Sequence, residues 1–313
     1  MPTVAQLRAF AALAEKLHFR EAAADLGMSQ PALSGAVAAL EETLGTRLVE
    51  RTTRRVLLTR SGEAVAQRAR TVLEGIEELT EAAQATGRPF AGDLHLGVIP
   101  TVAPYLLPAL LRPLKATYPE LEPVLHEERT AAILEGVAAG RLDLAVLALP
   151  LEGANLTVHP LYDEDFMLVF PGDDPRGGHG PVALDALNEL PVLVMEEGHC
   201  LRDQTLEVCR EAGGSGGLPS TRAASLATLV QLVAGGLGVT LLPSTAAAVE
   251  ARPGSGLAAS AFHAPAPGRS IALVHRASSP RAEEFAALAE TMREAVRAHG
   301  LAVRPAEIAA GVA

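Results

Sequence analysis

Cys200 and Cys209 are the only two cysteines in 313 residues, and they stand nine positions apart. Residues 197–204, around the first, read EGHCLRDQ. The apolar spacing that follows predicts a helix over about 201–212, which places Cys200 at its start. Helix N-terminal amides and the flanking His199 and Arg202 favour thiolate over thiol. A thiolate is oxidised to sulfenic acid, and a second thiol can condense with that acid. Along a continuous helix the two Cα atoms would lie roughly 13 Å apart, at ~1.5 Å per residue. Steps of ~100° place them on opposite faces. A disulfide needs Cα atoms within about 7 Å. Linking the sulfurs and keeping the helix therefore exclude each other over 200–209, which is the bistable element a redox switch requires. The other reading stays open: two buried, reduced and inert cysteines, since free Cys is among the most buried residue types.

The elements that must carry this pair divide the chain into two styles. Apolar residues at Val4, Leu7, Phe10, Leu13 and Leu17 predict a first helix. Arg20–Leu26 predicts a second, broken by Gly27. Ser29 is an N-cap for a third, with Pro31 in its first turn. In that helix Leu33, Val37, Leu40 and Leu44 form one apolar stripe, and Gln30, Ser34, Gly35 and Ala38 lie away from it. Helix, glycine turn and helix with a small polar start is the grammar of a helix-turn-helix. Residues 48–59 predict a hairpin wing, with Arg51, Arg54 and Arg55 at or near its turn. From about Ser61 to Ala85 two heptad series run together: Val65, Val72 and Leu79, and Ala69, Ile76 and Ala83. Such a seam calls for a partner helix, here read as dimerisation. Beyond residue 92 strand-like and helical runs alternate, which argues for α/β units on mainly parallel sheets. The strand runs are 93–99, 122–126, 142–148, 167–170, 192–195, 239–242 and 270–275. GGLG at 235–238 follows a helix and precedes a strand, so it reads as a helix cap and not as a dinucleotide loop. The GGSGG run at 213–217 reads as a flexible loop.

Composition narrows the function classes. The hydrophobic fraction is 49% and the charged fraction 20%, as in a soluble globular protein. No stretch is long and apolar enough to span a membrane, and MPTVAQLRAF has no signal-peptide pattern, so the expected location is the cytoplasm. The net charge of −11 is uneven: residues 1–70 carry ten basic and seven acidic side chains, +3, against −14 for the remainder. A basic head on an acidic body confines attraction for phosphate to one end. Walker, HExxH and paired CxxC motifs are absent. The nine histidines show no metal-ligand spacing, and aromatics at 3% argue against stacking on single-stranded nucleic acid. No cofactor and no metal are expected.

Two segments resemble a known family. Residues 22–45, AAADLGMSQPALSGAVAALEETLG, resemble the helix-turn-helix of LysR-type transcription regulators. GHCLRDQ at 198–204, followed by Cys209, resembles the redox segment of the OxyR group of hydrogen-peroxide sensors. Further similarity lies in 97–108, 125–130, 140–148 and 273–276, so the resemblance runs from the first helix to about residue 299. It implies a winged helix-turn-helix over 1–60 and a linker helix and hinge over 61–90. The regulatory domain of 91–300 would then comprise two Rossmann-like subdomains like those of periplasmic binding proteins. Lobe I would take about 91–163 plus 269–300, lobe II about 164–268, and 301–313 would be a tail. It implies Cys200 as the peroxidatic thiolate and Cys209 as the resolving thiol. His199, Thr101 and Thr130 would hold thiolate and peroxide, and Arg276 would polarise the peroxide. Gln30, Pro31 and Ser34 would face bases, and Arg51, Arg54 and Arg55 would meet phosphates. The implied partners are double-stranded promoter DNA, RNA polymerase, hydrogen peroxide, a thiol reductant for reset, and further copies of the chain as a dimer of dimers. Sensing of this kind is stoichiometric and not enzymatic. Two rivals are a LysR-type regulator with inert cysteines and a small organic effector, and a thiol peroxidase whose N-terminal helices serve dimerisation.

Overall fold

The computed structural model describes residues 1–51, 56–84, 89–151, 155–213 and 221–306. The chain divides into two compact units, Met1–Gly87 and Arg88–Ala313.

In the first unit, α1 (Val4–Lys16) begins at a capping box in which Thr3 and Gln6 satisfy each other's backbone amides. α2 (Phe19–Asp25) is capped by His18, and α3 (Gln30–Leu44) by Ser29, which accepts from Ala32 N. The three helices close on Phe10, Leu13, Ala22, Leu33, Val37 and Leu40, all with no exposed surface. Of the predicted stripe on α3, Leu44 alone is exposed. The hairpin forms as β1 (Val49–Arg51) and β2 (Val56–Leu58), antiparallel. It is tied to α3 by Glu41, whose Oε1 accepts from Leu48 N at 2.7 Å and Val49 N at 3.1 Å.

α4 (Arg60–Gln84) corrects the heptad reading in part. Its first turns belong to this unit: Ala66 is buried, and Val65 packs against the same core. Val72 and Leu79, further along, stand 48% and 71% exposed. Gly62 lies where α4 crosses the hairpin, and a Cβ there would come within 2.1 Å of the Leu48 carbonyl oxygen.

The second unit runs β3 (Gly92–Val98), α5 (Ala103–Thr117), β4 (Leu121–Glu127), α6 (Thr130–Ala138), β5 (Leu144–Ala148), β6 (Leu156–Pro171) and β7 (Val194–Met195). It continues through α7 (Cys200–Glu211), β8 (Arg222–Ala223), α8 (Leu226–Ala234), β9 (Thr240–Pro243) and α9 (Ser244–Glu250). It ends with β10 (Leu257–Ala261), β11 (Gly268–Arg276), α10 (Ala282–His299) and β12 (Arg304–Pro305). The expected α/β alternation is present, but the sheets are mixed and not mainly parallel. β3 pairs parallel with β4 and β5, and β7 with β8, whereas β6 pairs antiparallel with β9, β10, β11 and β12. The physical reason is β6 itself. The short run expected at 167–170 is the far end of a 16-residue strand. Its first part pairs with β11, and its last part with β9 and β10.

This strand threads two hydrophobic cores. One gathers β3, β5, α5, α6, β11 and α10 around residues such as Leu96, Val146, Leu273 and Phe285. The other gathers Phe166, Phe170, Leu193, Leu201, Val208, Leu229 and Leu241. Between them, where β6 crosses β11, three consecutive acidic residues interrupt the apolar strand: Asp163, Glu164 and Asp165. Gly268 lets the strands approach there, since a Cβ on it would meet the Glu164 carbonyl at 2.6 Å. β12 takes Arg304 and Pro305 of the expected tail into the sheet beside β6. The cap at Gly235 agrees with the reading of 235–238. Residues 214–217 of the glycine-rich run lie outside the described residues.

Two histidines sit back to back in the first core. His159 Nε2 and His275 Nε2 are 3.1 Å apart, and His275 is fully buried against Phe285. Burial lowers the pKa of both from the ordinary 6.5; the His275 ring adds to the effect on His159, while on His275 the hydrogen bond to the Arg276 carbonyl opposes it and the Arg276 charge adds a smaller lowering.

Two outcomes follow. Gly62→Ala should destabilise the chain by about 1–3 kcal/mol in equilibrium denaturation, because the atom it meets is backbone and cannot rotate away. Acidification should also destabilise it. The folded rings bind protons less readily than the unfolded ones, so their contribution is complete above pH 6.5 and is lost as pH falls below that value. The melting temperature should therefore drop between about pH 7.5 and about pH 5.5, and His159→Gln should shrink the drop.

Candidate functional site

Cys200 is the first residue of α7, and His199 is its N-cap, with no side chain capping the helix. The chain reaches this point through Gly198 at φ +91°, where a Cβ would press on the Arg129 side chain at 3.1 Å. Thr101 follows β3, and Thr130 is the first residue of α6. These separate elements bring Thr101, Thr130, His199 and Cys200 to one narrow crevice, completed by Ile99, Pro100, Arg129 and Gly198. A wider cleft beside it is lined by Cys200, Gln204, Thr130, Leu149, Phe166 and Gly268, among others.

The crevice contains unsatisfied polarity. Among the described residues, Thr130 Oγ1 and His199 Nε2 on the crevice, and Gln204 Oε1 on the wider cleft beside it, are buried without a hydrogen-bond partner. Orphaned polar atoms are costly, at about 1–3 kcal/mol each, and three around one thiol suit a small molecule with both donors and acceptors. The His199 ring bonds the Ala224 backbone, and burial, then the Arg129 charge, lowers its pKa. With the ring proton directed at Ala224, Nε2 presents a lone pair that can take a proton from a thiol or a peroxide.

Arg276 departs from expectation. It does not line the crevice, because its guanidinium is drawn under α6, donating Nη1 to the Val137 and Leu142 carbonyls at 2.8 and 3.2 Å. The arginine on the crevice wall is Arg129; Arg269, 5% exposed, lies behind Thr101, its Nη1 donating to Thr101 Oγ1 at 3.0 Å and its Nη2 to Thr101 O at 3.1 Å. Arg269 and Arg276 both lie on β11, an odd number of residues apart. The pleat therefore sends them to opposite faces. Arg202 is spent on Glu197 and Asp203 at 3.4 and 3.2 Å. Sequence reasoning missed Arg269, Gln204 and Arg129. The signal for Arg269 was the acidic triplet at 163–165 inside a strand, which demanded a buried cation.

Cys209 is half-buried one end of α7 away, packed against the second core, while Cys200 packs against the first. Burial raises the Cys209 pKa above the ordinary 9.0. Both thiols are free, and nine residues of helix separate their Cα atoms by about 13.5 Å.

For the other predicted surface, Gln30 and Pro31 are exposed in the first turn of α3, and Ser34 is half-buried one turn on. Arg54, Arg55 and the side chain of Arg51 lie outside the described residues. No described helix is long and apolar enough to cross a membrane.

Comparison with known proteins matches the same two units. Residues 4–63 match the bacterial regulatory helix-turn-helix protein, lysR family, and residues 87–297 match the LysR substrate binding domain. The chain belongs to the LysR family. Among its relatives, a probable hydrogen peroxide-inducible genes activator of Streptomyces viridosporus is 56% identical, covering 95% of both chains. The DNA-binding transcriptional dual regulator OxyR of Escherichia coli is 41% identical over 95% of this chain and 96% of its own. A hydrogen-peroxide-bound mutant of Corynebacterium glutamicum OxyR superposes with a TM-score of 0.64 at 41% identity, covering 95% of this chain and 94% of that one. A full-length Pseudomonas aeruginosa OxyR mutant gives 0.73 at 34% identity, covering 94% and 98%.

Cys209 should resist alkylation in the reduced protein. In a Cys200→Ser variant, iodoacetamide labelling at neutral pH should be slow and should accelerate only as pH passes the ordinary thiol value of 9.0. Fast labelling at neutral pH would contradict its burial.

Proposed function

We propose that this chain is a DNA-binding transcription regulator that senses hydrogen peroxide through Cys200 and controls oxidative-stress genes. The observation that carries the proposal is the thiol at the open N-terminus of α7, in a crevice whose buried Thr130 and His199 atoms lack partners, beside a cleft where Gln204 Oε1 lacks one too. Peroxide supplies both the donors and the acceptors they need. The Cys200 sulfur attacks one peroxide oxygen. The S–O bond forms as the O–O bond breaks, and the second oxygen leaves as hydroxide and is protonated to water. Thr101, Thr130 and the cation behind Thr101 stabilise the charge that develops on the leaving oxygen. That cation is Arg269 and not Arg276. The Cys209 thiol then displaces hydroxide from the Cys200 sulfenic acid. A disulfide and a second water result, and a cellular thiol reductant reverses it.

The disulfide cannot coexist with α7, so oxidation unwinds it and alters how the two cores meet. Gln30, Pro31 and Ser34 present the start of α3 to bases in promoter DNA, and Arg51, Arg54 and Arg55 on the wing meet phosphates. The exposed Val72 and Leu79 of α4 pair two copies, and two such pairs form the tetramer. The oxidised assembly contacts RNA polymerase in the cytoplasm. Each turn of the cycle is a signal and not a catalytic product. The open cleft favours one second reading, a small organic effector, and the polar atoms clustered at Cys200 favour peroxide over it.

Brief peroxide treatment should make the protein lighter by two hydrogen atoms and yield one peptide linking Cys200 to Cys209. Two free thiols after treatment would overturn the proposal, and rapid repeated turnover of peroxide without salt-sensitive duplex binding would point to a thiol peroxidase.

A further inference from the structure

Glu164 is 1% exposed in the middle of β6, facing Arg269 across the ladder with β11. Its Oε1 accepts from Arg269 Nε at 2.8 Å and is ion-paired with Nη2 at the same distance. Its Oε2 accepts from Thr245 Oγ1 at 2.5 Å and Thr245 N at 3.4 Å, at the start of α9. A guanidinium is a rigid planar fork, so holding its Nε edge fixes where Nη1 points. Here it points to Thr101 Oγ1. With a charged donor on its oxygen, the Thr101 hydroxyl is left to direct its own hydrogen elsewhere, and Thr101 lines the crevice with Cys200.

We propose that Glu164 is a positioning residue for the reaction at Cys200: it holds Arg269 against Thr101, which makes the Thr101 hydroxyl a donor to the departing peroxide oxygen. This rests on the peroxide-sensing reading. In the step itself the Cys200 thiolate gives two electrons to the peroxide. Sulfur keeps the proximal oxygen and its hydrogen as sulfenic acid, and the distal oxygen leaves as hydroxide. Thr101 donates a hydrogen bond to that hydroxide without losing its proton, and the proton released when the Cys200 thiol ionised reaches it through solvent to give water. Thr245 ties the same carboxylate to the second core, so α9 also bears on the geometry at Cys200.

The test uses the full chain with Cys209→Ser, which isolates the first step. Sulfenic acid formation with hydrogen peroxide and alkylation with iodoacetamide are timed in parallel. Alkylation reads the availability of the thiolate, and only the peroxide reaction needs a donor for a leaving oxygen. Glu164→Gln should slow the peroxide reaction by about tenfold, less than the loss of a direct donor would, and leave alkylation unchanged. Glu164→Asp should recover part of the loss. Thr245→Val, isosteric and outside the crevice, should give a smaller loss of the same kind, and it carries the test if Glu164→Gln fails to fold. Equal slowing of both reactions would mean a merely structural role and would overturn the proposal, as would a peroxide rate equal to that of the parent. If the parent itself forms no sulfenic acid, the peroxide-sensing reading fails first, and this inference falls with it.

Discussion

One helix holds two sulfurs apart, and the rest of the regulatory unit is organised around that separation. α7 places Cys200 against one hydrophobic core and Cys209 against the other. Leu201 and Val208 bury its inner face in the second core, and Asn188 closes its far end by donating to the Ala212 carbonyl at 2.7 Å. Unwinding the segment gives up this burial, at about 25 cal/mol per Å² of apolar surface. A disulfide between its ends offsets that loss. A twelve-residue helix is marginal on its own in water, so its stability comes from what it packs on.

The crossing of β6 and β11 is the second constraint. Two apolar strands pass from one core to the next, and at the passage they carry Asp163, Glu164, Arg269 and Ser270, all paired across the ladder or to neighbouring helices. Buried ion pairs contribute little net stability, because desolvation opposes their attraction. Their value here is directional. The pair turns a fold-level feature, the register of two strands, into the orientation of a hydroxyl beside Cys200. Gly268 belongs to the same logic, since the strands meet too closely there for a side chain.

The N-terminal unit shows how one helix serves two tasks in sequence. The first turns of α4 complete a small core with α1 and the hairpin, while its later apolar residues face outward. A helix exposing Leu79 over 71% of its surface presents the kind of apolar stripe that association covers.

Much of this was legible in the residues. The helix cap at Ser29, the turn at Gly27 and the apolar stripe through Leu33, Val37 and Leu40 act over a few residues, so local pattern determined the helix-turn-helix. The spacing of Cys200 and Cys209 likewise determined that a helix and a disulfide would compete, because helical rise and period are the same in any protein. Tertiary structure alone decided what surrounds the thiol. Thr101, Thr130, His199 and Arg269 come from four elements spread over 168 residues. Arg269 and Arg276 share one strand, and only the pleat and the register of β11 on β6 tell which of them reaches Thr101. The length of β6 was hidden for the same reason: polar residues 163–165 read as a break until a buried partner for them was in place.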